Sequence, residues 1–211
     1  MIINYNGLES FKIQSGDLTL AFNPISKESE SKSTRFGADI TCISMNHPDF
    51  NGLDETLAKN KETFVVNGAG EYEVKGVFIK GYQSLTNYDK QERINIIYFI
   101  VFDNINIGFL GALSSNGVEG ELREVLNDVD ILFVPIGGGD VLDATQSYKL
   151  SVKLGAKIII PMYYGEKGEK NALKKFLEES GNEKLEAVKK ITLKKNDFLG
   201  KEGEVIVLEK N

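Results

Sequence analysis

The sequence predicts an α/β sandwich (αββα) in which two β-sheets pack face to face with helices outside. Two observations support this fold class. The chain contains two strand-rich halves, each followed by segments with helical periodicity. The segment Ile94–Phe102 is apolar on both faces, which is typical of a strand inside a sandwich. No internal linker interrupts the 211 residues, so we expect a single domain over residues 1–211.

The first half of the chain predicts short strands separated by turns. Gly7 and Ser15-Gly16 separate the first three strands, which indicates a meander. Residues 25–37 are polar and predict an exposed loop, and a short helix is expected over Asp54–Lys59. The predicted strands are Ile2–Tyr5, Ser10–Gln14, Asp17–Phe22, Asp39–Met45, Glu62–Val66 and Tyr72–Lys80.

The second half alternates buried strands with amphipathic helices. Asp103-Asn104 predicts a tight turn between Ile94–Phe102 and Ile105–Leu110, as in a hairpin. Asp143 is a candidate N-cap for a helix that runs to about Leu154. The other expected elements are a helix around 118–126, the strands Val129–Pro135 and Ala156–Ile160 (ended by Pro161), a helix on Ala172, Leu173, Phe176 and Leu177 that ends at Gly181, and the strands Ile191–Leu193 and Glu204–Leu208.

Composition excludes several functional classes. With Lys+Arg 25 against Asp+Glu 31 the net charge is −6, which argues against nucleic acid or an anionic membrane as partner. The sequence contains no apolar run of 18 or more residues, so no membrane span is predicted. The segment MIINYNGLESF does not have the pattern of a signal peptide. The single cysteine, Cys42, indicates a reducing compartment, so a cytoplasmic location is expected. The single histidine, His47, excludes mechanisms that need several imidazoles.

Several motifs resemble one known family, and they keep that family's order from residue 2 to about 165. The segments are NGLESFKI, LAFNP, ISMNHPDFNG, GAGEYEVKGVFIKG, INIGFLGALSS, VDILFVPIGGG and IIIPMYYG. They resemble the metallo-β-lactamase-fold hydrolases, in particular the small Zn-dependent hydrolases related to ascorbate-6-phosphate lactonases. This resemblance implies a four-layer αββα sandwich with two mixed sheets and a metal site at one edge between them.

Most of the ligand positions that this resemblance implies carry residues of other kinds. His47 and Asp49 are kept, so two of the seven implied ligand positions survive. The replacements are Met45 and Phe50 for two histidines, Ala112 for the bridging aspartate, Tyr163 for the histidine of I-P-M-H-Y, and Thr86 near a later histidine position; Leu8 and Asn23 replace two further family residues. Borderline metals prefer imidazole and carboxylate ligands, and a phenol has a pKa of about 10. We therefore expect no metal cofactor, or alternatively one Zn, Mn or Fe ion at His47 and Asp49.

The leading hypothesis is a degenerate, metal-free member of this superfamily, a pseudoenzyme that acts in binding or scaffolding. The expected partners are a second copy of the chain, another protein or a small-molecule ligand, because inactive members of the superfamily assemble with active ones. The vestigial site would be His47, Asp49 and Tyr163, and the expected ligand pocket is lined by Leu8, Met45, His47, Phe50, Thr86, Ala112 and Tyr163.

Two enzymatic hypotheses stay open. A metal-dependent hydrolase of a small phosphorylated or lactone-type substrate would hold one metal at His47 and Asp49, with Glu71 or Asp143 as a further ligand. A metal-free enzyme would instead pair His47 with Ser114 or Tyr163.

Four other features each allow a structural or a functional interpretation. Asp49 is expected to bond backbone amides in a turn if it has no catalytic role. Glu71 and Glu73 share one strand face, where a scaffold role is favoured over acid–base chemistry. Gly137–Gly139 predicts a tight connection in preference to an anion cradle, and Cys42 is expected to be buried.

Overall fold

The computed structural model describes residues 1–32, 34–57, 62–115, 117–127 and 129–211. Two mixed β-sheets pack face to face and three helices are present in the described residues, so the predicted αββα sandwich is confirmed. No helix of the described residues is long and apolar enough to cross a bilayer.

The first sheet begins with the predicted meander. Strands β1, β2 and β3 are antiparallel, whereas β3, β4 and β5 are parallel. The strand order is β12-β1-β2-β3-β4-β5. The strands are β1 (Ile2–Gly7), β2 (Ser10–Ser15), β3 (Leu18–Phe22), β4 (Ile40–Cys42), β5 (Phe64–Val66) and β12 (Ile191–Thr192).

The second sheet is antiparallel in its first half and parallel in its second half. Its order is β13-β11-β10-β9-β8-β7-β6. The strands are β6 (Gly70–Val74), β7 (Val77–Tyr88), β8 (Gln91–Phe102), β9 (Ile105–Phe109), β10 (Ile131–Pro135), β11 (Ile158–Met162) and β13 (Glu204–Val205). Asp103 and Asn104 have φ of 56° and 59°, as the predicted hairpin turn requires.

Apolar side chains fill the space between the sheets and the space under the helices. Between the sheets, Phe22 and Phe109 stack with ring centroids 4.2 Å apart. The helices α1 (Gly120–Leu126), α2 (Ala144–Lys153) and α3 (Ala172–Glu179) cover the outer face of the second sheet. The predicted capping residue Asp143 forms a capping box with Gln146, and Gly181 follows α3 with a φ of 70°.

Three local predictions differ from the structure. The segment predicted as one strand over Tyr72–Lys80 is divided between β6 and β7, because Lys75 and Gly76 form a left-handed turn with φ of 53° and 75°. Pro161 does not end β11: strand β13 pairs only with Ile158 and Ile159, so no ladder bond to β13 is lost at the proline. The predicted helix over Asp54–Lys59 is a 3₁₀ turn at Leu53–Glu55, and residues 58 and 59 lie outside the described residues.

The strands β7 and β8 form a hairpin that extends beyond the rest of the sheet. Strand β6 pairs with β7 only up to Gly81, and β9 pairs with β8 only from Tyr98 onward. Residues 82–97 therefore project as a two-stranded ribbon, which turns at Asp89 and Lys90 with φ of 52° and 59°. The tip of this ribbon reaches the loop that follows β4.

A buried ion-pair network ties the parallel strands to the C-terminal segment. Asp130 accepts hydrogen bonds from the Asn106 amide at 2.8 Å, from Lys157 at 2.6 Å and from Lys195 at 2.7 Å. Burial on its own would raise the pKa of Asp130, but these bonds hold the pKa below its ordinary value.

We expect Asp130→Asn to lower the free energy of unfolding by about 3 kcal/mol at neutral pH, because two lysines lose a buried partner. A carboxyl whose pKa is depressed in the folded state stabilises the fold at pH values above its unfolded pKa of about 3.9. The difference in unfolding free energy between wild type and Asp130→Asn should therefore shrink as the pH falls below that value. Urea unfolding at neutral pH and at a pH below the unfolded pKa measures this difference in unfolding free energy. The exposed Asp17→Asn is the control, and equal losses in both variants would contradict the role of Asp130.

Candidate functional site

The candidate site is built around the carboxylate of Asp49, whose side chain is 2% exposed. Its Oδ1 accepts a hydrogen bond from Ser29 Oγ at 2.5 Å. Its Oδ2 accepts bonds from the Tyr88 hydroxyl and from Lys167 Nζ, both at 2.6 Å. Three separate loops therefore converge on one carboxylate: the loop after β3, the ribbon tip and the loop after β11.

These partners keep Asp49 ionised. Burial would raise the pKa of this carboxyl, but the hydrogen bonds from Lys167, Ser29 and Tyr88 hold the pKa below its ordinary value. The carboxylate and the Lys167 ammonium form a partly buried ion pair. The structure corrects the expectation that Asp49 bonds backbone amides, because all three of these donors are side chains.

His47 lies beside Asp49 with its side chain 14% exposed. Its Nδ1 accepts the amide N–H of Asp49 at 3.2 Å, and its ring meets that of Tyr88 edge-on with centroids 4.9 Å apart. Burial lowers the pKa of His47. The positive charges of Arg93 and Lys167 lower this pKa further, whereas the carboxylates of Asp49 and Asp89 partly offset the decrease. A lowered pKa favours the neutral imidazole, whose Nδ1 acts as an acceptor.

The apolar residues of the expected pocket come together, but they pack against one another. We call this group the site cluster; each member is at most 3% exposed, and its members are Leu8, Ile25, Met45, Phe50, Tyr88, Ala112, Val141 and Tyr163. Thr86 is also buried and donates a hydrogen bond to Ala112 O at 2.6 Å. In the described structure these side chains pack against one another without an apolar pocket between them, and the nearby cavities combine Met45 or His47 with mostly polar residues.

Two tyrosines link the site cluster to the carboxylate. The Tyr163 hydroxyl donates to the Tyr88 hydroxyl at 3.0 Å, and Tyr88 donates to Asp49. Burial raises the pKa of both phenols, so neither supplies a phenolate near neutral pH. Gly137 is required beside Tyr163, because a Cβ at this position would lie 2.5 Å from the tyrosine ring. This close contact favours the tight-connection interpretation of the glycine loop over the anion cradle.

The residues present do not fit a metal centre. Among the described residues, no group of three or more His, Cys, Asp and Glu side chains is placed to hold a metal ion. The Lys167 ammonium lies where it would repel a dication bound to Asp49. The two proposed additional ligands are engaged elsewhere, since Glu71 pairs with Lys80 at 2.7 Å and Asp143 caps α2.

The structure does not show the geometry that the metal-free enzyme hypothesis needs. Ser114 is half-buried, and no hydrogen bond joins it to His47 in the described part of the chain. Tyr163 donates its proton to Tyr88, not to His47. Neither candidate nucleophile therefore has the histidine as its base.

Sequence reasoning missed four residues of the site: Ser29, Tyr88, Lys167 and Glu9. Glu9 is fully buried; its Oε2 accepts from Asn23 Nδ2 at 3.1 Å and its Oε1 has no hydrogen-bond partner in the described structure. Burial raises the pKa of Glu9 well above its ordinary value, which favours the neutral form of this acid. One signal in the sequence was available: a buried aspartate whose neighbouring positions carry apolar residues needs a cation, and Lys167 lies four residues after Tyr163.

A family model described as the beta-lactamase superfamily domain matches residues 2–163. A search of curated proteins finds no significant match. Among solved structures, the chain is similar to a protein from Thermotoga maritima described as a Zn-dependent hydrolase of the metallo-beta-lactamase superfamily. The identity is 25% and the TM-score 0.75, over 99% of this chain and 98% of that chain.

Two other solved structures share the fold at lower identity. One is Igni18, a metallo hydrolase from Ignicoccus hospitalis, with 18% identity and a TM-score of 0.62 over 92% of this chain and 99% of that chain. The other is a metal-dependent hydrolase from Parabacteroides distasonis, with 17% identity and a TM-score of 0.66 over 98% of this chain and 93% of that chain.

We expect Lys167→Met to raise the pKa of Asp49 and to lower the free energy of unfolding by about 2 kcal/mol at neutral pH, because a buried carboxylate loses its cation. A ¹³C NMR titration of the Asp49 carboxyl, together with urea unfolding, measures both effects.

The matched control for this variant is Lys170→Met, which changes an exposed lysine of the same loop. An unchanged Asp49 pKa in Lys167→Met would show that Tyr88 and Ser29 alone hold the carboxylate ionised.

Proposed function

The chain belongs to the beta-lactamase superfamily, and from this membership we propose that it is a degenerate, metal-free member that acts in binding or scaffolding. The observation that carries this proposal is the ion pair between Asp49 and Lys167 at 2.6 Å. An ammonium group occupies the coordination space of the one kept carboxylate. The positive charge that a metal would supply is then provided by the chain itself.

The packing around this pair supports the same proposal. Phe50, Ala112 and Tyr163 stand where the resemblance implies ligands, and they belong to the buried site cluster. Neither apolar side chains nor phenols of raised pKa replace imidazole and carboxylate as ligands for zinc, iron or manganese. Opening a coordination sphere here would require separating the Asp49–Lys167 pair and unpacking aromatic side chains.

A second candidate function is a metal-dependent hydrolase with a reduced site. The similarity to the Thermotoga maritima protein favours it, since that protein is described as a Zn-dependent hydrolase. In this alternative, one weakly bound ion at His47 and Asp49 would act on a small phosphorylated or lactone-type substrate. Lys167 would have to leave Asp49 for the ion to bind.

The proposed binding or scaffolding role involves a second copy of the chain, another protein or a small molecule. The net charge of −6 makes a nucleic acid or an anionic membrane surface a poor partner. Cys42 is a free, buried thiol, which is consistent with the proposed cytoplasmic location.

We expect less than about a tenth of an equivalent of zinc, iron or manganese per chain in untagged protein purified without chelator, because the kept donors are already bonded. Elemental mass spectrometry measures the metal content. The affinity tag must be removed, since its imidazoles would bind metal.

The decisive comparison is wild type against His47→Ala after dialysis from excess zinc. About one equivalent in wild type that is lost in His47→Ala would replace the proposal with the hydrolase alternative. Light scattering on the same samples tests the scaffolding role: a defined oligomer supports it, and a monomer limits the role to the binding of a ligand or another protein.

A further inference from the structure

A cleft of about 620 Å³ opens beside the site cluster, between the ribbon and the loops that follow β4 and β5. We propose that this cleft binds a carboxylate that carries a neighbouring secondary amide, as in an acylated amino acid or the C-terminus of a peptide. The cleft is separate from the Asp49 carboxylate, so the inference goes beyond the proposed function. It holds whether or not the chain binds a metal.

One wall of the cleft is an open strand edge. The Ile96 N–H donates to Ser44 O at 2.8 Å, so the main-chain N–H and C=O of Ile96 point away from β7. Ile96 is therefore a non-hydrogen-bonded partner of Gln83. Because such pairs alternate along an antiparallel ladder, the pair of Leu85 and Ile94 is also non-hydrogen-bonded.

The main-chain N–H and C=O of Ile94 therefore point away from β7, on the side that β9 no longer covers. Strand β9 pairs with β8 only from Tyr98 onward, and no backbone bond outside the strand ladders reaches Ile94 in the described residues. Such an edge offers one donor and one acceptor to the amide of a ligand.

Arg93 places a positive charge in the same cleft. Its Nε donates to Tyr88 O at 3.3 Å and its Nη2 to Gln91 Oε1 at 2.9 Å. Both acceptors are neutral, and in the described part of the chain no carboxylate pairs with this guanidinium. A guanidinium has five N–H donors, so several remain for a bound carboxylate.

The remaining lining is suited to a small apolar side chain. Ile43, Met45 and Ile96 are buried and form an apolar floor. Asn46 and Asn51 bond to each other at 3.0 Å on the rim, which leaves polar atoms of both carboxamides for a ligand. The volume is within the range of small-molecule sites, about 300–1,000 Å³.

The charge balance favours a carboxylate over a phosphate. Arg93 is the single cation of the described cleft lining, and Glu92 lies exposed at its mouth. The guanidinium of Arg93 can neutralise one negative charge of a ligand. The second charge of a dianion would not be neutralised and would be repelled by the Glu92 carboxylate, so a monoanion is favoured.

The test is an ¹⁵N NMR titration of wild-type protein with N-acetyl-leucine up to about 20 mM, a concentration that detects millimolar affinity. We expect saturable shifts of the Ile94, Ser44 and Asn46 amides. The methyl ester lacks the carboxylate and the N-methyl derivative lacks the amide donor, so each should bind at least about tenfold more weakly.

The matched protein variants are Arg93→Gln and Arg123→Gln, the latter an exposed arginine on α1 outside the cleft. Arg93→Gln should weaken binding at least about tenfold, and Arg123→Gln should bind as wild type does. Heteronuclear spectra of both variants establish that each is folded.

The source of the ligand is decided with acetyl-Ala-Ala-Leu, which has a free carboxylate and more amides. Binding at least about tenfold tighter than that of N-acetyl-leucine assigns the cleft to peptide C-termini, and equal binding assigns it to acylated amino acids. The inference is overturned if neither compound shifts Ile94, or if the shifts persist unchanged in the methyl ester and in Arg93→Gln.

Discussion

The arrangement of the site depends on the need of one buried carboxylate for positive charge. Asp49 is nearly inaccessible to solvent, and an unpaired carboxylate there would cost several kcal/mol. Lys167 supplies the charge, while Tyr88 and Ser29 supply neutral donors. Because these partners come from three loops, the carboxylate joins the end of the first sheet to the ribbon and to the loop after β11. The carboxylate requires this positive charge whatever group supplies it.

The apolar packing of the site cluster is compatible with the neutralisation of Asp49 by a single lysine. A site with two dications needs several carboxylates and imidazoles, whereas a site with one lysine needs one carboxylate. Phe50, Ala112 and Tyr163, at positions where the resemblance implies ligands, pack into one cluster with Tyr88. Tyr163 connects this cluster to the hydrogen bonds around Asp49, since its ring belongs to the cluster and its hydroxyl donates to Tyr88. The superfamily fold here holds an ion pair and an apolar cluster at this edge of the sheets.

Sequence reasoning succeeded where the determining interactions are local. The Asp103-Asn104 turn, the Asp143 cap and Gly181 after α3 depend on neighbours within a few residues, and all three are confirmed. The site partners of Asp49 lie 39 and 118 residues away, at Tyr88 and Lys167. The motifs show which of the implied ligand positions carry other residues, but only the tertiary fold shows which of the many lysines pairs with Asp49. The same limit explains Pro161, whose position in β11 depends on how far β13 extends along it.

The ribbon connects the closed site with the open cleft through the geometry of a β-strand. Alternate side chains point to opposite faces, while main-chain groups point sideways. Thr86 and Tyr88 are directed into the site, and the cross-strand pair of Leu85 and Ile94 is exposed at 54% and 51%. The bond between Tyr88 and Asp49 fixes the ribbon, so the edge at Ile94 is held in place before a ligand arrives. Preorganisation of this kind lowers the entropy cost of binding. The hydrogen bond from Tyr88 to Asp49 therefore also positions the strand edge at Ile94.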